Sequence, residues 1–297
     1  MQMNINRDLY TAIVTPMLDN GEIDYCSFER ILKYQAQSDC GILILGSTGE
    51  ALALSFEEQR EVVKFTCSLG LSTPIMVGVG GSRLEQQISW IEFCNNQQVD
   101  CFLLVTPLYA KPGTVGQINW FRSLLDVAQK PCVFYNVPSR TGVNLSYEAL
   151  EKIKDHKNAW AIKEASGDYE RFAKYAEIAP NLRMYSGEDG ILPELSNYGA
   201  VGLISVISNI WPKQVKSYVK ESVNKTIQED YCQTWRDATK ACFEVANPIP
   251  VKVWLEHNGV IKSNTLRAPL VAEELTDITN LKKANNLVKA SYANFIG

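Results

Sequence analysis

The sequence predicts an α/β fold, a (β/α)8 TIM barrel with a C-terminal helical appendage. Short β-rich runs alternate with amphipathic helical stretches eight times over roughly the first 220 residues, about the length that such a barrel needs. Beyond Lys225 the alternation stops, and no strand candidate of comparable quality follows. We therefore expect a catalytic barrel over residues 1–224, with residues 225–297 packed on it as helices. An open, doubly wound parallel sheet is the alternative that the same alternation allows.

The first four strand–helix units are marked by apolar runs and by helix-capping residues. Asp24 precedes the first helix, and Ser55 with Glu58 forms the S-x-x-E pattern of a capping box before the second. The strands are predicted at Tyr10–Val14, Gly41–Leu45, Ile75–Val79 and Cys101–Val105, and the helices at 24–38, 55–69, 84–95 and 115–128.

The next four units follow the same pattern, and a run of helices ends the chain. Strands are predicted at Pro131–Asn136, Ala159–Glu164, Leu182–Ser186 and Val201–Val206. Helices are predicted at 146–154, 169–178 and 191–198, from Pro212 onward, around 231–242, and over 251–256 and 272–294. The segment 137–142, after the fifth strand, is predicted to be a loop.

Composition and charge exclude several classes of function. A net charge of −4 and a pI near 5.4 give no basic surface for nucleic acid. Eight scattered cysteines and two histidines show no metal-ligand spacing, so we expect reduced core thiols and no bound metal. The N-terminus lacks a hydrophobic signal region, and no run approaches the ~20 apolar residues of a membrane span. We expect a soluble, cytoplasmic protein with neither nucleic acid nor membrane as partner.

One lysine stands at the end of a strand whose neighbours are small. In AWAIKE, strand alternation places Ala159, Ala161 and Lys163 on one face, and Trp160, Ile162 and Glu164 on the other. Burial disfavours an ammonium group, and lowering a lysine pKa to roughly 7–8 means destabilising the charged form by roughly 3–4 kcal/mol. Such a lysine is a nucleophile for carbonyl compounds. The alternative is a surface or ion-paired lysine, the usual state of this residue.

Tyr135 is the predicted neighbour of this lysine. Barrel enzymes carry their working residues where the strands end, and Tyr135 lies on the same strand face as Val133, beside the strand of Lys163. A phenol at that point can exchange protons with a carbinolamine. Without the lysine, a tyrosine packed in the core would be an equally good interpretation.

Other polar residues after the strands offer sites for an anionic substrate. Ser47 and Thr48, in GSTGE, offer hydroxyl and backbone N–H groups to a carboxylate, although an ordinary turn has the same composition. Arg140, in YNVPSRTG, can bind a second carboxylate through two hydrogen bonds, although most loop arginines are solvated. Gly187 would let the backbone approach a ligand, although glycine is also common in plain turns.

Six segments together resemble the class I pyruvate-dependent aldolases, most closely their dihydrodipicolinate synthase branch. They are GSTGE, TPLY, YNVPSRTG, KEASGD, SGED and NPIPVK, and they occur in the family's order and spacing from about Tyr10 to Leu270. The resemblance implies that Lys163 forms a Schiff base with pyruvate. It also implies a homotetramer built as a dimer of dimers, and no cofactor beyond the covalent imine.

The resemblance assigns roles to seven further residues. It implies a proton relay of Tyr135, Ser47 and Tyr109, with Tyr109 reaching across a dimer interface into the neighbouring subunit's site. It also implies substrate contacts of four kinds: Thr48 to the pyruvate carboxylate, Arg140 to the carboxylate of L-aspartate 4-semialdehyde, Gly187 through its backbone, and Ile204 through its apolar side chain.

The chain departs from the family pattern at two places. Ser47 stands where the synthases usually have threonine; serine is commoner in the related N-acetylneuraminate lyases, which generally lack the arginine at 140. Many synthases are inhibited by lysine at a site beside the dimer interface. The matching positions here hold few groups for a charged amino acid, so we expect weak or absent feedback; they are Phe56, Gln59, Ser82, Gln86 and Leu108.

The expected function is condensation of pyruvate with L-aspartate 4-semialdehyde to 4-hydroxy-tetrahydrodipicolinate, a step of diaminopimelate and lysine biosynthesis. One alternative is a lyase of N-acetylneuraminate or of 2-keto-3-deoxy sugar acids that uses the same Schiff base. Another is a barrel that binds a keto acid without turning it over.

Overall fold

The chain forms a closed barrel of eight parallel strands in sequential order, each connected to the next through helices on the outside. The computed structural model describes residues 5–296, with side chains described as far as residue 293. Strand 1 pairs with strand 8 through Leu9 and Leu203, which closes the ring. The predicted (β/α)8 class is therefore confirmed, and the open sheet is wrong.

The strands are short, as in other barrels of this class. They are β1 Leu9–Ala12, β2 Gly41–Ile44, β3 Ile75–Val79, β4 Cys101–Val105, β5 Cys132–Asn136, β6 Ala159–Glu164, β7 Arg183–Ser186 and β8 Ala200–Ser205. The α-helices are α1 Tyr25–Gln37, α2 Phe56–Ser68, α3 Leu84–Asn95, α4 Thr114–Val127, α5 Pro138–Thr141, α6 Tyr147–Ile153, α7 Tyr169–Ile178, α8 Leu192–Ser196, α9 Pro212–Asn224, α10 Glu229–Cys242, α11 Ile249–His257 and α12 Thr279–Ile296.

The predicted caps begin the first two helices. The Asp24 side chain accepts a hydrogen bond from the Ser27 amide at the start of α1. In the box before α2, Ser55 accepts from the Glu58 amide while the Glu58 carboxylate accepts from the Ser55 amide. Each of these bonds satisfies an N–H group that has no partner inside its helix.

Three segments differ from the sequence prediction. The loop 137–142 contains the one-turn helix α5, which Pro138 begins and a left-handed Gly142 ends. The helix predicted over 191–198 is divided into a 3-10 turn, Asp189–Ile191, and α8. The last helix begins at Thr279 rather than near 272, because the Asp277 carboxylate accepts the Thr279 amide and begins a new helix there.

Two apolar clusters hold the barrel together. The larger fills the space between the strands and the outer helices, with Phe28, Phe121 and Trp235 among its buried members. The smaller lies inside the ring of strands and includes Tyr10 and Tyr185. The inside of the barrel is thus filled with side chains.

Strand β6 does not alternate along its whole length. Its pairing with β5 skips a residue: Cys132 pairs with Ala159 and Val133 with Ala161. Ala159 consequently packs on the outer cluster and Trp160 on the inner one. The prediction that Ala159 shares the face of Lys163 is wrong, while the inward placement of Ala161 and Lys163 is confirmed.

The helices after residue 225 pack on the side of the barrel. Lys225 ends α9 in a left-handed conformation, and α10 then packs along α12 and against the 3-10 turn after β7. Arg236 of α10 forms an ion pair of 3.0 Å with Glu194 of α8. The division of the chain at 224/225 stays a prediction. None of the described helices is both long and apolar enough to cross a bilayer.

Candidate active site

A cavity of about 1070 Å³ opens at the carboxyl end of the barrel, where the loops after β2, β3, β4 and β5 meet. Ser47, Tyr109, Tyr135 and Arg140 line it. This is the end of a (β/α)8 barrel at which side chains from different strands converge.

Lys163 lies near the carboxyl end of β6, and its side chain is almost inaccessible to water. The residue is 4% exposed. Burial lowers the pKa of its ammonium group to about 8, even though the carboxylates of Asp189 and Glu188 act in the opposite direction; Arg140 adds a smaller lowering. A lowering from 10.5 corresponds to about 3 kcal/mol against the charged form. At pH 7 about a tenth of this lysine is therefore a free amine, far more than for a lysine with the ordinary pKa.

The space beside this amine exists because two neighbours are small. A Cβ at Gly187 would lie 2.8 Å from Lys163 Cε and 2.6 Å from Ala165 Cβ. Any larger residue at 187 would displace the lysine side chain, so packing requires glycine at this position.

Tyr135 lies next to Lys163 on the neighbouring strand. The two residues are paired in the β5–β6 register, and Lys163 Nζ is 4.4 Å from the centre of the Tyr135 ring. Burial raises the pKa of the Tyr135 phenol to about 12, while Arg140 and a hydrogen bond with Ser47 act to lower it. Tyr135, Ser47 and Lys163 are thus brought together as the sequence predicts.

Thr48 and Arg140 are connected through a residue that the sequence analysis did not single out. Asn247 Nδ2 donates a hydrogen bond to Thr48 Oγ1 at 3.0 Å, and Arg140 Nη2 donates to the Asn247 carbonyl oxygen at 3.5 Å. Thr48 is buried and Arg140 is exposed at the cavity wall. The two predicted carboxylate-binding residues therefore both contact Asn247, which lies in the turn before α11.

The remaining two predicted residues lie at opposite extremes of burial. Ile204 is fully buried in the inner cluster, where β8 pairs with β1. Tyr109 is 94% exposed on the rim of the cavity, in a left-handed conformation with φ of 64°. Within the described part of the chain its phenol makes no hydrogen bond to Tyr135 or Ser47, so one subunit does not assemble the predicted relay by itself.

Two acids beside the lysine were not predicted. Burial raises the pKa of Glu188 to about 7, with the charge of Asp189 adding to the effect. Burial also raises the pKa of Asp189 to about 6, against hydrogen bonds from the Ser205 hydroxyl and the Val206 amide. Their signal was the segment SGED, in which two acids follow a predicted strand.

A buried ion pair supports the loop after β2. Lys252 Nζ lies 2.8 Å from Glu50 Oε1 and donates to the Thr15 carbonyl oxygen at 3.0 Å, and the lysine is fully buried. The other Glu50 oxygen accepts the Arg267 amide at 2.8 Å. The sequence contains both partners in the motifs GSTGE and NPIPVK, but nothing in either motif shows that they meet.

Among the described residues, no group of three or more His, Cys, Asp or Glu side chains is arranged to hold a metal ion. The five residues at the positions of the family's lysine site all line the outer part of the cavity: Phe56, Gln59, Ser82, Gln86 and Leu108. Weak or absent feedback by lysine stays a prediction.

Comparison with known proteins agrees with this geometry. The sequence profile of the Dihydrodipicolinate synthetase family matches residues 6–288. The chain belongs to this family. The 4-hydroxy-tetrahydrodipicolinate synthase of Francisella tularensis subsp. novicida is 60% identical over 289 residues, which cover 97% of this chain and 98% of that protein. The family resemblance and the enzyme class, a lyase of the class I aldolase type, are therefore confirmed.

Solved structures show the same fold over the whole barrel. The 4-hydroxy-tetrahydrodipicolinate synthase of Methylacidiphilum fumariolicum SolV superimposes with a TM-score of 0.91 at 30% identity, covering 97% of both chains. The chloride-inhibited dihydrodipicolinate synthase of Acinetobacter baumannii, solved in complex with pyruvate, gives a TM-score of 0.87 at 30% identity, covering 96% of this chain and 98% of that one.

Proposed function

We propose that the cavity condenses pyruvate with L-aspartate 4-semialdehyde through an imine on Lys163. The observation that carries this mechanism is the lysine itself, buried beside Tyr135 with a pKa lowered to about 8. The reaction is that of the family, and two relatives that are 60% and 61% identical are named 4-hydroxy-tetrahydrodipicolinate synthase. The proposal assigns the roles that the resemblance implies to individual residues of this chain.

The first half of the reaction activates pyruvate. The Lys163 amine adds to the keto carbon, and the carbinolamine loses water to give an imine. The protonated imine withdraws electrons, so a proton leaves the methyl carbon and an enamine forms. The enamine carbon then adds to the aldehyde carbon of the semialdehyde, and the new alkoxide takes up a proton.

The second half releases the lysine. The amino group that came with the semialdehyde attacks the imine carbon, closes the ring and displaces Lys163. One water is lost overall, and the electrons balance with no oxidant or reductant. We propose that the reaction uses no cofactor and no metal, because the lysine supplies the electron sink.

Tyr135 is placed to move the protons of these steps. Its phenol lies between Lys163 and Ser47, and its raised pKa keeps it protonated and able to donate to the departing hydroxyl. Because Tyr109 of the same subunit is exposed on the rim, we propose that it completes the relay in the site of a neighbouring subunit.

The substrates are held by four further residues. We propose that Thr48 binds the pyruvate carboxylate and that Arg140 binds the carboxylate of the semialdehyde from the cavity wall. Gly187 leaves space for the backbone to approach the imine, and Ile204 supplies an apolar contact below it.

We further propose a homotetramer, built as a dimer of dimers, in the cytoplasm. Tyr109, Leu52 and Val115 are at least 70% exposed, which is unusual for large apolar side chains and suits a contact between subunits. The cysteines of the described chain are free thiols, as expected in a reducing compartment.

The mechanism is tested by trapping the imine. Borohydride added with pyruvate should reduce the imine to a stable secondary amine on Lys163, located by peptide mapping. The peptide that carries Lys252, the other fully buried lysine, is the internal control and should stay unmodified. An adduct on any other lysine, or none on Lys163, would contradict the mechanism. Turnover of semialdehyde and of N-acetylneuraminate in parallel assays separates the synthase from the lyase.

A further inference from the structure

We infer that Asn247 is a positioning residue that sets the direction of the Thr48 hydroxyl proton. The inference rests on the proposed function, in which Thr48 binds the pyruvate carboxylate, and it adds a residue to which no role has been assigned above.

The contact joins two distant parts of the chain. Asn247 lies in the turn before α11 and is 6% exposed; Thr48 lies in the loop after β2 and is 2% exposed. Asn247 Nδ2 donates to Thr48 Oγ1 at 3.0 Å across 199 residues of sequence. Among the described residues this is the only hydrogen bond of the Thr48 hydroxyl.

The polarity of this bond has a chemical consequence. A hydroxyl has one proton and can accept through its lone pairs. When a lone pair of Thr48 is taken by an amide N–H, its proton points away from Asn247 and is available to another acceptor. A carboxylate needs donors, so Thr48 held in this way is prepared to bind the anion of a keto acid.

The turn that carries Asn247 is held on both sides. Its carbonyl oxygen accepts from Arg140, and five residues later Lys252 is paired with Glu50, only two residues beyond Thr48. These contacts hold the backbone of the turn close to the loop after β2. Asn247 Oδ1 is buried and has no hydrogen-bond partner among the described residues. In the described part of the chain, the side chain of Asn247 therefore bonds only to Thr48, through its N–H group.

Two substitutions separate this role from simple packing. Asn247→Leu keeps a branched side chain but has neither donor nor acceptor. Asn247→Asp keeps the shape but has no N–H, so Thr48 must donate to it and present lone pairs to the substrate, and its carboxylate also repels the carboxylate of pyruvate. We expect the pyruvate KM to rise about fivefold in Asn247→Leu and on the order of tenfold to a hundredfold in Asn247→Asp. The KM for semialdehyde should change less in both, because Arg140 contacts only the backbone of residue 247.

The decisive comparison uses Thr48→Val, which has no hydroxyl to orient. In that background Asn247→Leu should leave the pyruvate KM unchanged, because no hydroxyl remains to be directed. The inference is overturned if Asn247→Leu leaves the pyruvate KM unchanged with Thr48 present, or raises it by the same factor with Thr48 absent. Should Asn247→Leu fail to fold, Asn247→Ala is compared in the same two backgrounds. Failure of the proposed function is distinguishable, because the unsubstituted protein would then form no borohydride-trapped adduct with pyruvate.

Discussion

At the scale of single residues, the reactivity of Lys163 is a balance between burial and nearby charge. Removal from water disfavours the ammonium group, and the absence of a side chain at Gly187, next to Ala165, leaves the amine space to react. Asp189 and Glu188 oppose this by favouring the charged form, which holds the pKa at about 8. Because the two acids hold the pKa at about 8, both the ammonium and the amine form of Lys163 are populated near physiological pH.

The pH dependence of pyruvate capture should follow this balance. Below about pH 8 the lysine is mostly ammonium and cannot attack, so kcat/KM for pyruvate should rise with pH through that value. Glu188→Gln removes a negative charge near the ammonium group, so the midpoint of the rise should move to lower pH. Initial rates measured from about pH 6 to about pH 10, roughly two units on either side of the Lys163 pKa, test both expectations.

A matched control for this measurement is available on the surface. Glu177 is exposed on α7 and paired with Lys174, so Glu177→Gln should leave the pH profile unchanged. A midpoint that moves to higher pH in Glu188→Gln, or does not move at all, would contradict the assignment of these charges.

At the scale of elements, the loop after β2 depends on the C-terminal helices. Glu50 adopts a left-handed conformation, φ 55°, and its carboxylate is satisfied by Lys252 of α11 and by the Arg267 amide. The same loop carries Ser47 and Thr48. The residues after 225 therefore act on the site by supporting this loop, and not by lining the cavity.

Removing one partner of the buried pair should be costly. Lys252→Met leaves the Glu50 carboxylate buried with a single hydrogen bond, so we expect a loss of about 3–5 kcal/mol in the free energy of unfolding. Adding Glu50→Gln should recover much of that loss, since no charge then remains buried. Urea unfolding followed by circular dichroism measures both.

The control is a lysine in an exposed pair. Lys64 lies 2.8 Å from Glu61 on α2 with both side chains more than half exposed, so Lys64→Met should change stability by about 0.5 kcal/mol or less. If Lys252→Met costs no more than Lys64→Met, the support assigned to the buried pair is wrong.

At the scale of the whole molecule, the barrel has a packed inner cluster and a packed outer cluster, and Tyr109 stands exposed on its rim. Lys163 and Tyr135 are fixed by strands, whereas Tyr109 projects from the rim into solvent. Among the described residues, the Tyr109 phenol makes no hydrogen bond to Tyr135 or Ser47 of its own subunit. The site as proposed is completed only when two subunits pair.

Mixed assemblies should reveal this sharing. Tyr109→Phe and Lys163→Met chains each give weakly active assemblies, but in a mixed dimer one site combines an intact Lys163 with a partner's intact tyrosine. Equal co-expression should restore about a quarter of the original activity through random pairing.

In the control mixture every site keeps one defect. Tyr135→Phe combined with Lys163→Met should restore nothing, because both residues act within the same subunit. Recovery in the control, or none in the Tyr109 mixture, would show that Tyr109 does not act across the interface.

Much of the fold follows from local sequence. Most strand and helix positions are predicted to within a few residues, the start of the last helix and the short α5 excepted, because apolar periodicity and caps such as Ser55–Glu58 depend on neighbours in the chain. The placement of Tyr135 beside Lys163 was predicted for the same reason, since consecutive strands of a barrel are adjacent.

What the sequence by itself determined is the barrel, the lysine near the end of its sixth strand and the segments that surround it. Only the tertiary structure decided that Trp160 turns inward, that Lys252 neutralises Glu50, and that Asn247 contacts Thr48. Periodicity describes residues a few positions apart, whereas these contacts depend on a register shift between strands or on partners about 200 residues apart. Hydrogen bonds and ion pairs form only when two atoms lie within about 3 Å of each other, and only the folded chain sets that distance.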